Sequence, residues 1–217
     1  MDAPQNHFWQ LRLEEIRTTL ERNNFAVHVV ADGQAAKNLC LDRLIPAAAP
    51  GSISWGGSMT FTESGLYEAI KTRSDLNIID PYDKSLSPEE THERRRRALL
   101  ADLFITGTNA VTERGHLVNL DMIGNRVAAL TFGPRAVIVL VGRNKIVPDL
   151  PAAMDRIKGY AAPANVMRLD KKTPCATTGR CQDCKAPDRI CNHWTITEKS
   201  FPKHRINVVL INQDMGL

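Results

Sequence analysis

The segment Ala136 to Val141, Ala-Val-Ile-Val-Leu-Val, constrains the fold more than any other part of the chain. It is apolar throughout, rich in β-branched residues and free of polar alternation. A strand of that composition is covered on both faces, and such strands belong to parallel sheets flanked by helices. The rest of the chain agrees. Apolar β-type runs alternate with helical patterns, which predicts an α/β fold, a three-layer sandwich around a largely parallel sheet.

The individual elements can be placed from their patterns. Trp9, Leu13, Ile16 and Leu20 recur at i, i+4, i+7 and i+11, so the chain should open with an amphipathic helix. Phe25 to Val30 reads as a strand and Gln34 to Leu44 as a helix. Ser52 to Trp55 is a short strand running into Gly56-Gly57, Ser64 to Lys71 a helix, and Leu76 to Ile79 a strand. Ser87-Pro88-Glu89-Glu90 is a helix start. Serine can cap it, proline fits the first turn, and Glu90 completes a capping box. That helix should reach about Leu100. Leu103 to Thr106 is the next strand, with Leu117 to Leu120 paired to it or near it. Asn125 to Leu130 reads as a short helix. Leu150, Met154 and Ile157 mark the inner face of another. Ile206 to Ile211 closes the chain as a strand. Cys40, on the second helix, is read as a small core residue.

Composition narrows the class. The chain has 217 residues, 43 % of them hydrophobic and 24 % charged, values ordinary for a soluble globular protein. One domain spanning 1–217 with a substantial core is expected. The net charge of +4 is too mild to suggest a nucleic-acid partner. No apolar run approaches the ~20 residues of a spanning helix. Met1 to Gln10 contains no apolar segment of a secretory leader. A cytoplasmic protein is expected, without a membrane partner. Its five cysteines are then read as thiols or metal ligands before disulfides.

Small, amide and charged residues crowd the ends of the apolar segments from Thr106 to Lys145, where α/β proteins place ligand-contacting groups. Gly56, Gly57 and Ser58 follow a strand and precede a helix. Glycines there let the backbone approach a ligand, and the hydroxyls and amides can hold a phosphate or carboxylate. A plain βα turn would look the same. Thr108 and Asn109 follow the Leu103 strand. Glu113 stands near a strand end, where a carboxylate can act as general base or nucleophile, or simply pair with Arg114. Asn119 and Asp121 flank Leu120 and so share a strand face. Asn125 and Arg126 open the next helix. Arg143 and Lys145 end the Ala136 strand and could neutralise an anionic substrate. His116 is an isolated acid–base candidate. Arg94 to Arg97 spread over all faces of one helical turn beside Glu89, Glu90 and Glu93. They read as a solvated face or subunit contact.

The cysteine-rich loop at 173–192 carries Cys175, Cys181, Cys184 and Cys191 in the spacing C-x5-C-x2-C-x6-C. Four thiolates so close together, with a C-x2-C pair, suit Zn²⁺ or an iron–sulfur cluster. Free or pairwise-oxidised thiols are the alternative.

Five motifs together resemble the LUD domain, which occurs in lactate-utilization proteins. They are Ser-Ile-Ser-Trp-Gly-Gly-Ser at 52–58, Thr-Asn-Ala-Val-Thr-Glu-Arg-Gly at 108–115, Leu-Val-Asn-Leu-Asp at 117–121, Gly-Asn-Arg-Val at 124–127 and Gly-Arg-Asn-Lys at 142–145. The resemblance runs from about residue 10 to 217, and the cysteine loop resembles a feature of one subgroup. It implies the NagB/RpiA/CoA-transferase-like fold, related to ribose-5-phosphate isomerase, glucosamine-6-phosphate deaminase and the CoA transferases, which bind small anions at strand ends. CoA transferases carry a nucleophilic glutamate in a Ser-Glu-Asn-Gly context. Thr112-Glu113-Arg114-Gly115 is similar but has arginine where they have asparagine. The acidic segment of the isomerases is reduced here to Glu113 and Asp121.

Some LUD proteins act with partner subunits that oxidise lactate to pyruvate, and this chain lacks the ferredoxin-type cysteine repeats of the electron carrier. The implied function is an accessory or small-anion-binding protein of lactate or organic-acid utilization, in a homo-oligomer or with such partners. The alternatives are an acyl-transfer or isomerase-type enzyme using Glu113, and a metal- or redox-sensing protein built on the cysteine loop.

Overall fold

The computed structural model describes residues 3 to 217. Met1 and Asp2, the first residues of the expected domain and of the polar N-terminal stretch, lie outside the described residues. The chain begins with α1 (Ala3–Arg22), β1 (Ala26–Val30), α2 (Gly33–Leu39), α3 (Ile45–Ala48), β2 (Ser52–Trp55), α4 (Met59–Glu63), α5 (Leu66–Lys71) and β3 (Asn77–Ile79). It continues through α6 (Pro88–Ala98), β4 (Leu103–Gly107), β5 (Ala110–Thr112), β6 (Leu117–Asp121), α7 (Asn125–Thr131) and β7 (Ala136–Gly142). The last third holds β8 (Ile146–Val147), α8 (Leu150–Arg156), α9 (Ala162–Arg168), α10 (Pro174–Thr178), β9 (His193–Thr197) and β10 (Ile206–Ile211).

Six strands form one sheet in the order β1-β10-β7-β4-β2-β3, and every pairing in it is parallel. Alternation along β7 explains why that strand carries no polar residue. Val137, Val139 and Val141 pack with Leu13, Ile16 and Leu20 of α1 and with residues of α6 and α7. Ile138 and Leu140 face the other way, against Ala36, Cys40, Phe61, Leu66 and Ile70. Helices therefore cover both faces, as the sandwich requires. Leu13, Ile16 and Leu20 are at most 1 % exposed, and burying side chains of that size stabilises by about 1.5–3 kcal/mol each. Cys40 is a core residue as expected, and burial pushes its thiol up to about 12.

The expected capping box on α6 forms in both directions. Glu90 N–H donates to Ser87 Oγ at 3.2 Å, and Ser87 N–H donates to the Glu90 carboxylate at 2.8 Å. The helix expected over Gln34 to Leu44 runs on to Ala48, joined through a π turn at Cys40–Leu44. A second π turn, Ile157–Ala161, joins α8 to α9. Each lies just before a proline near the start of the next helix, Pro46 or Pro163. Widening the turn there relieves the clash between a proline ring and the preceding helical carbonyl.

One expectation needs correction, and another, that Leu117 to Leu120 pairs with the Leu103 strand or lies near it, is met in its second form, with Thr108 just after β4 donating to the Val118 carbonyl at 3.2 Å. Leu117 to Leu120 does not pair with the Leu103 strand. It lies in β6 of a separate sheet, ordered β8-β5-β6-β9, where β6 pairs antiparallel with both β5 and β9. Met154 is not on the inner face of α8. It is 37 % exposed, while Ala153 and Ile157 pack with Ala110, Val118 and Leu120 of the second sheet. Among the described residues no helix is long and apolar enough to cross a membrane.

Candidate functional site

A cavity of about 430 Å³ opens at the carboxyl ends of β2, β4 and β7. Gly57, Ser58 and Met59 reach it from the β2 turn, Gly107, Thr108 and Asn109 from the end of β4, and Lys145 from the turn after β7. Leu120 to Ile123, Asn125 and Arg126 form the wall supplied by β6 and α7, and Asn165 and Arg168 of α9, with Lys171 and Ile190 beyond it, form the opposite wall. Tyr82 and Arg95 complete it. Ligand sites of open parallel sheets lie at this edge. Among the described residues five basic side chains line the cavity, Arg95, Arg126, Lys145, Arg168 and Lys171, against one side-chain carboxylate, Asp121.

Arg126 is held at 8 % exposure by acceptors on every side. Its Nε donates to Asp121 Oδ1 at 2.9 Å. Nη1 donates to Asn119 Oδ1 at 2.6 Å and to the Gly107 carbonyl at 3.2 Å. Nη2 donates to Asn109 Oδ1 at 3.2 Å and the Leu120 carbonyl at 3.4 Å. The guanidinium has spent its donors on the protein. What it offers a ligand is a fixed positive charge. Asn119 and Asp121 do share a strand face, and the group they reach together is Arg126. Asp121 also accepts the Gly124 N–H at 2.8 Å, so its charge is committed to the scaffold.

Lys145 is 4 % exposed. Its Nζ donates to Thr60 Oγ1 at 2.8 Å and to the Thr108 carbonyl at 3.3 Å. The Thr60 hydroxyl in turn donates to the Met215 carbonyl at 3.2 Å, which leaves its lone pairs to the lysine. Burial, with repulsion from Arg156 and Arg126 added, brings the ammonium down from 10.5 to about 7, and Glu63 opposes this weakly. Arg156 is pinned close by, donating to the Asn144 carbonyl at 3.0 Å and the Asn109 carbonyl at 2.8 Å. The segment after β10 closes this corner. Asn144 Oδ1 accepts the Met215 N–H at 3.0 Å, and Glu63 accepts the Gly216 N–H at 2.6 Å.

Gly56 does not line the cavity, and a Cβ there would come within 2.7 Å of Arg126 Cγ. Its smallness serves packing of the arginine. A Cβ on Gly57 would meet the Tyr82 hydroxyl at 2.8 Å. Ser58 caps a helix of only five residues by accepting the Phe61 N–H at 3.3 Å, so little helix dipole is available to an anion. Arg143 turns away from the cavity. It is 1 % exposed and donates to Asp214 at 2.8 Å and Asn212 at 3.2 Å, with its guanidinium 5.8 Å from the Trp9 ring. Glu113 stands in the turn after β5, its carboxylate bonded to Arg12 of α1, outside the cavity. His116 is also outside it.

Sequence reasoning missed Tyr82, Arg95, Asn165, Arg168 and Lys171. The signal for Arg95 was the arginine run, whose members diverge. Arg94 donates to the Asp80 carbonyl, Arg96 and Arg97 pair with Glu93, and Arg95 reaches the cavity.

The cysteine loop forms a small side core in which Cys175 and Ile190 pack with Val166, and Ile190 contributes to the cavity wall. Cys175 is buried with its sulfur 3.3 Å from Thr173 Oγ1, while Cys181 is exposed and accepts the Asp183 N–H at 3.4 Å. Cys184 and Cys191 are half-buried, and Arg189 donates to both of their carbonyls. Burial raises the Cys191 thiol. Among the described residues no three of His, Cys, Asp and Glu gather as a metal site. The expectation of Zn²⁺ or a cluster at these four cysteines rests on their spacing.

The model of the LUD domain family matches residues 13–211. Among solved structures, the fold is similar to that of a DUF162 family protein from Deinococcus radiodurans, with a TM-score of 0.50. The two share 13 % identity over 94 % of this chain and 98 % of that one, a likeness of fold alone. No curated protein matches the sequence.

Proposed function

The chain belongs to the LUD domain family, and from that premise we propose that its cavity binds a small organic anion, in the service of lactate or related organic-acid utilization. The protein acts in this reading as an accessory or binding component beside partner subunits that carry the electrons. One observation carries the reading. Arg95, Arg126, Arg168, Lys171 and a partly charged Lys145 line the cavity, and its one side-chain carboxylate among the described residues, Asp121, is already bonded to Arg126. A site so arranged holds a net positive field in a partly dry recess, which favours anions of carboxylate or phosphate type. Arg126 supplies fixed charge. Arg95, for which no ion pair forms among the described residues, supplies donors that can turn to a ligand, and Ser58 and Asn125 add neutral polar groups to the lining.

Thermal unfolding with lactate, pyruvate, oxalate, a sugar phosphate and a CoA ester tests this. A ligand present at about 100 times its Kd stabilises by about 2.7 kcal/mol, and at least one of these anions should raise Tm accordingly. If none does at low ionic strength, the proposal has no basis.

A further inference from the structure

We infer that Lys145 is a nucleophilic amine that forms an imine with a carbonyl compound carrying an anionic group, of which 2-oxo acids are the simplest class. The inference rests on the anion-binding reading of the cavity and adds a covalent step to it.

The geometry carries the argument. Two fixed acceptors, Thr60 Oγ1 at 2.8 Å and the Thr108 carbonyl at 3.3 Å, take two N–H bonds of the amine. Among the described residues no carboxylate makes an ion pair with it, although it is 4 % exposed. In the neutral amine the two donors are thus engaged, and the remaining position is a lone pair in a group that lines the cavity. The charged groups acting on it are Arg126 of α7 and Arg156 of α8, which disfavour the ammonium, and Glu63 of α4, which favours it less strongly. Glu63 is itself engaged by the Gly216 N–H. A lysine desolvated beside other cations is an activated nucleophile. Arg95, Arg126 and Arg168 line the same cavity, so their charge can balance the carboxylate of an oxo acid without reprotonation of the amine.

The nitrogen lone pair forms a bond to the carbonyl carbon, giving a carbinolamine. The carbonyl oxygen leaves as water, carrying one proton from the amine and one from solvent, and a protonated imine remains. At pH 7 a surface lysine has a neutral fraction about a thousandfold smaller than a group titrating near neutrality. Modification should therefore be selective.

The test is incubation with pyruvate and sodium cyanoborohydride near neutral pH, followed by intact mass measurement and peptide mapping. The expected result is one reduced adduct, mapped to Lys145 in the unaltered protein, with none from lactate, which lacks the carbonyl. Below about 7 the rate should rise about tenfold per pH unit and then level off. Lys145→Arg keeps the charge and should abolish the adduct. Because the mapping uses the unaltered chain, misfolding of that variant would not obscure the outcome. Stabilisation by pyruvate or oxalate without an adduct on Lys145, or with adducts only on surface lysines, overturns the nucleophile and leaves the anion site standing. Neither stabilisation nor adduct overturns both.

Discussion

Arg143 and Lys145 lie two residues apart on one short turn, both buried, yet the protein treats them in opposite ways. Arg143 is paired with Asp214, bonded to Asn212 and set beside Trp9 of α1. Lys145 lines the cavity and donates to a hydroxyl and a carbonyl, with no ion pair among the described residues, and two arginines repel its charge more than Glu63 attracts it. A buried cation with a carboxylate and amides around it joins elements of the scaffold. A buried cation denied a carboxylate costs stability, and the cost is explicable when the group serves a ligand.

The comparison breaks first at Arg143. Arg143→Met should destabilise the fold by about 3 kcal/mol in urea unfolding, because it removes the bonds joining the β7 turn to the segment after β10. In the protein that remains folded, anion binding should persist. Lys145→Met should do the reverse. Relief of the desolvated ammonium, less the bonds lost at Thr60 and Thr108, should leave stability unchanged or raised by about 2 kcal/mol at neutral pH. Stabilisation by any anion should be lost.

The pH dependence sharpens the same contrast. The Lys145 ammonium titrates near 7 in the folded state against 10.5 for an ordinary lysine. Between those values the unfolded chain binds more protons, so the stability of the native protein relative to Lys145→Met rises with pH across that window. Below about 7 both states are protonated and the difference is flat. Paired unfolding curves at several pH values check the sign.

The smallest effect is expected at Glu113. Its pair with Arg12 is about one-third exposed on each side, so Glu113→Gln should change stability by less than about 1 kcal/mol. Anion binding should not change. A loss of binding in that variant would bring Glu113 back to the site.

The parts of the fold that were legible in the sequence are those where one residue pattern decides the structure. The apolar run of β7, the stripe of α1 and the Ser87–Glu90 capping box needed no distant information. The second sheet was not legible, because β8 has two residues and β5 has three. Strands that short carry no period, and in β9 the alternating Trp194 and Ile196 stay partly exposed, so no core requirement singles that strand out.

The site shows the same division. Ser58, Asn109, Arg126 and Lys145, which line the cavity, stood out because polar residues at strand ends are a local signal. Tyr82, Arg95 and Arg168 come from separate segments that only the tertiary fold brings together. Arg143 looked like Lys145 in the sequence, since nothing in Gly-Arg-Asn-Lys says which side chain the residues after β10 will claim.

The most direct measurement is anomalous diffraction from crystals of the protein soaked in bromide. The account predicts the strongest bromide peak inside the cavity, between Lys145, Arg126 and Arg95, and its disappearance on co-soaking with oxalate. Bromide distributed over surface lysines and arginines, with none in the cavity, would contradict it.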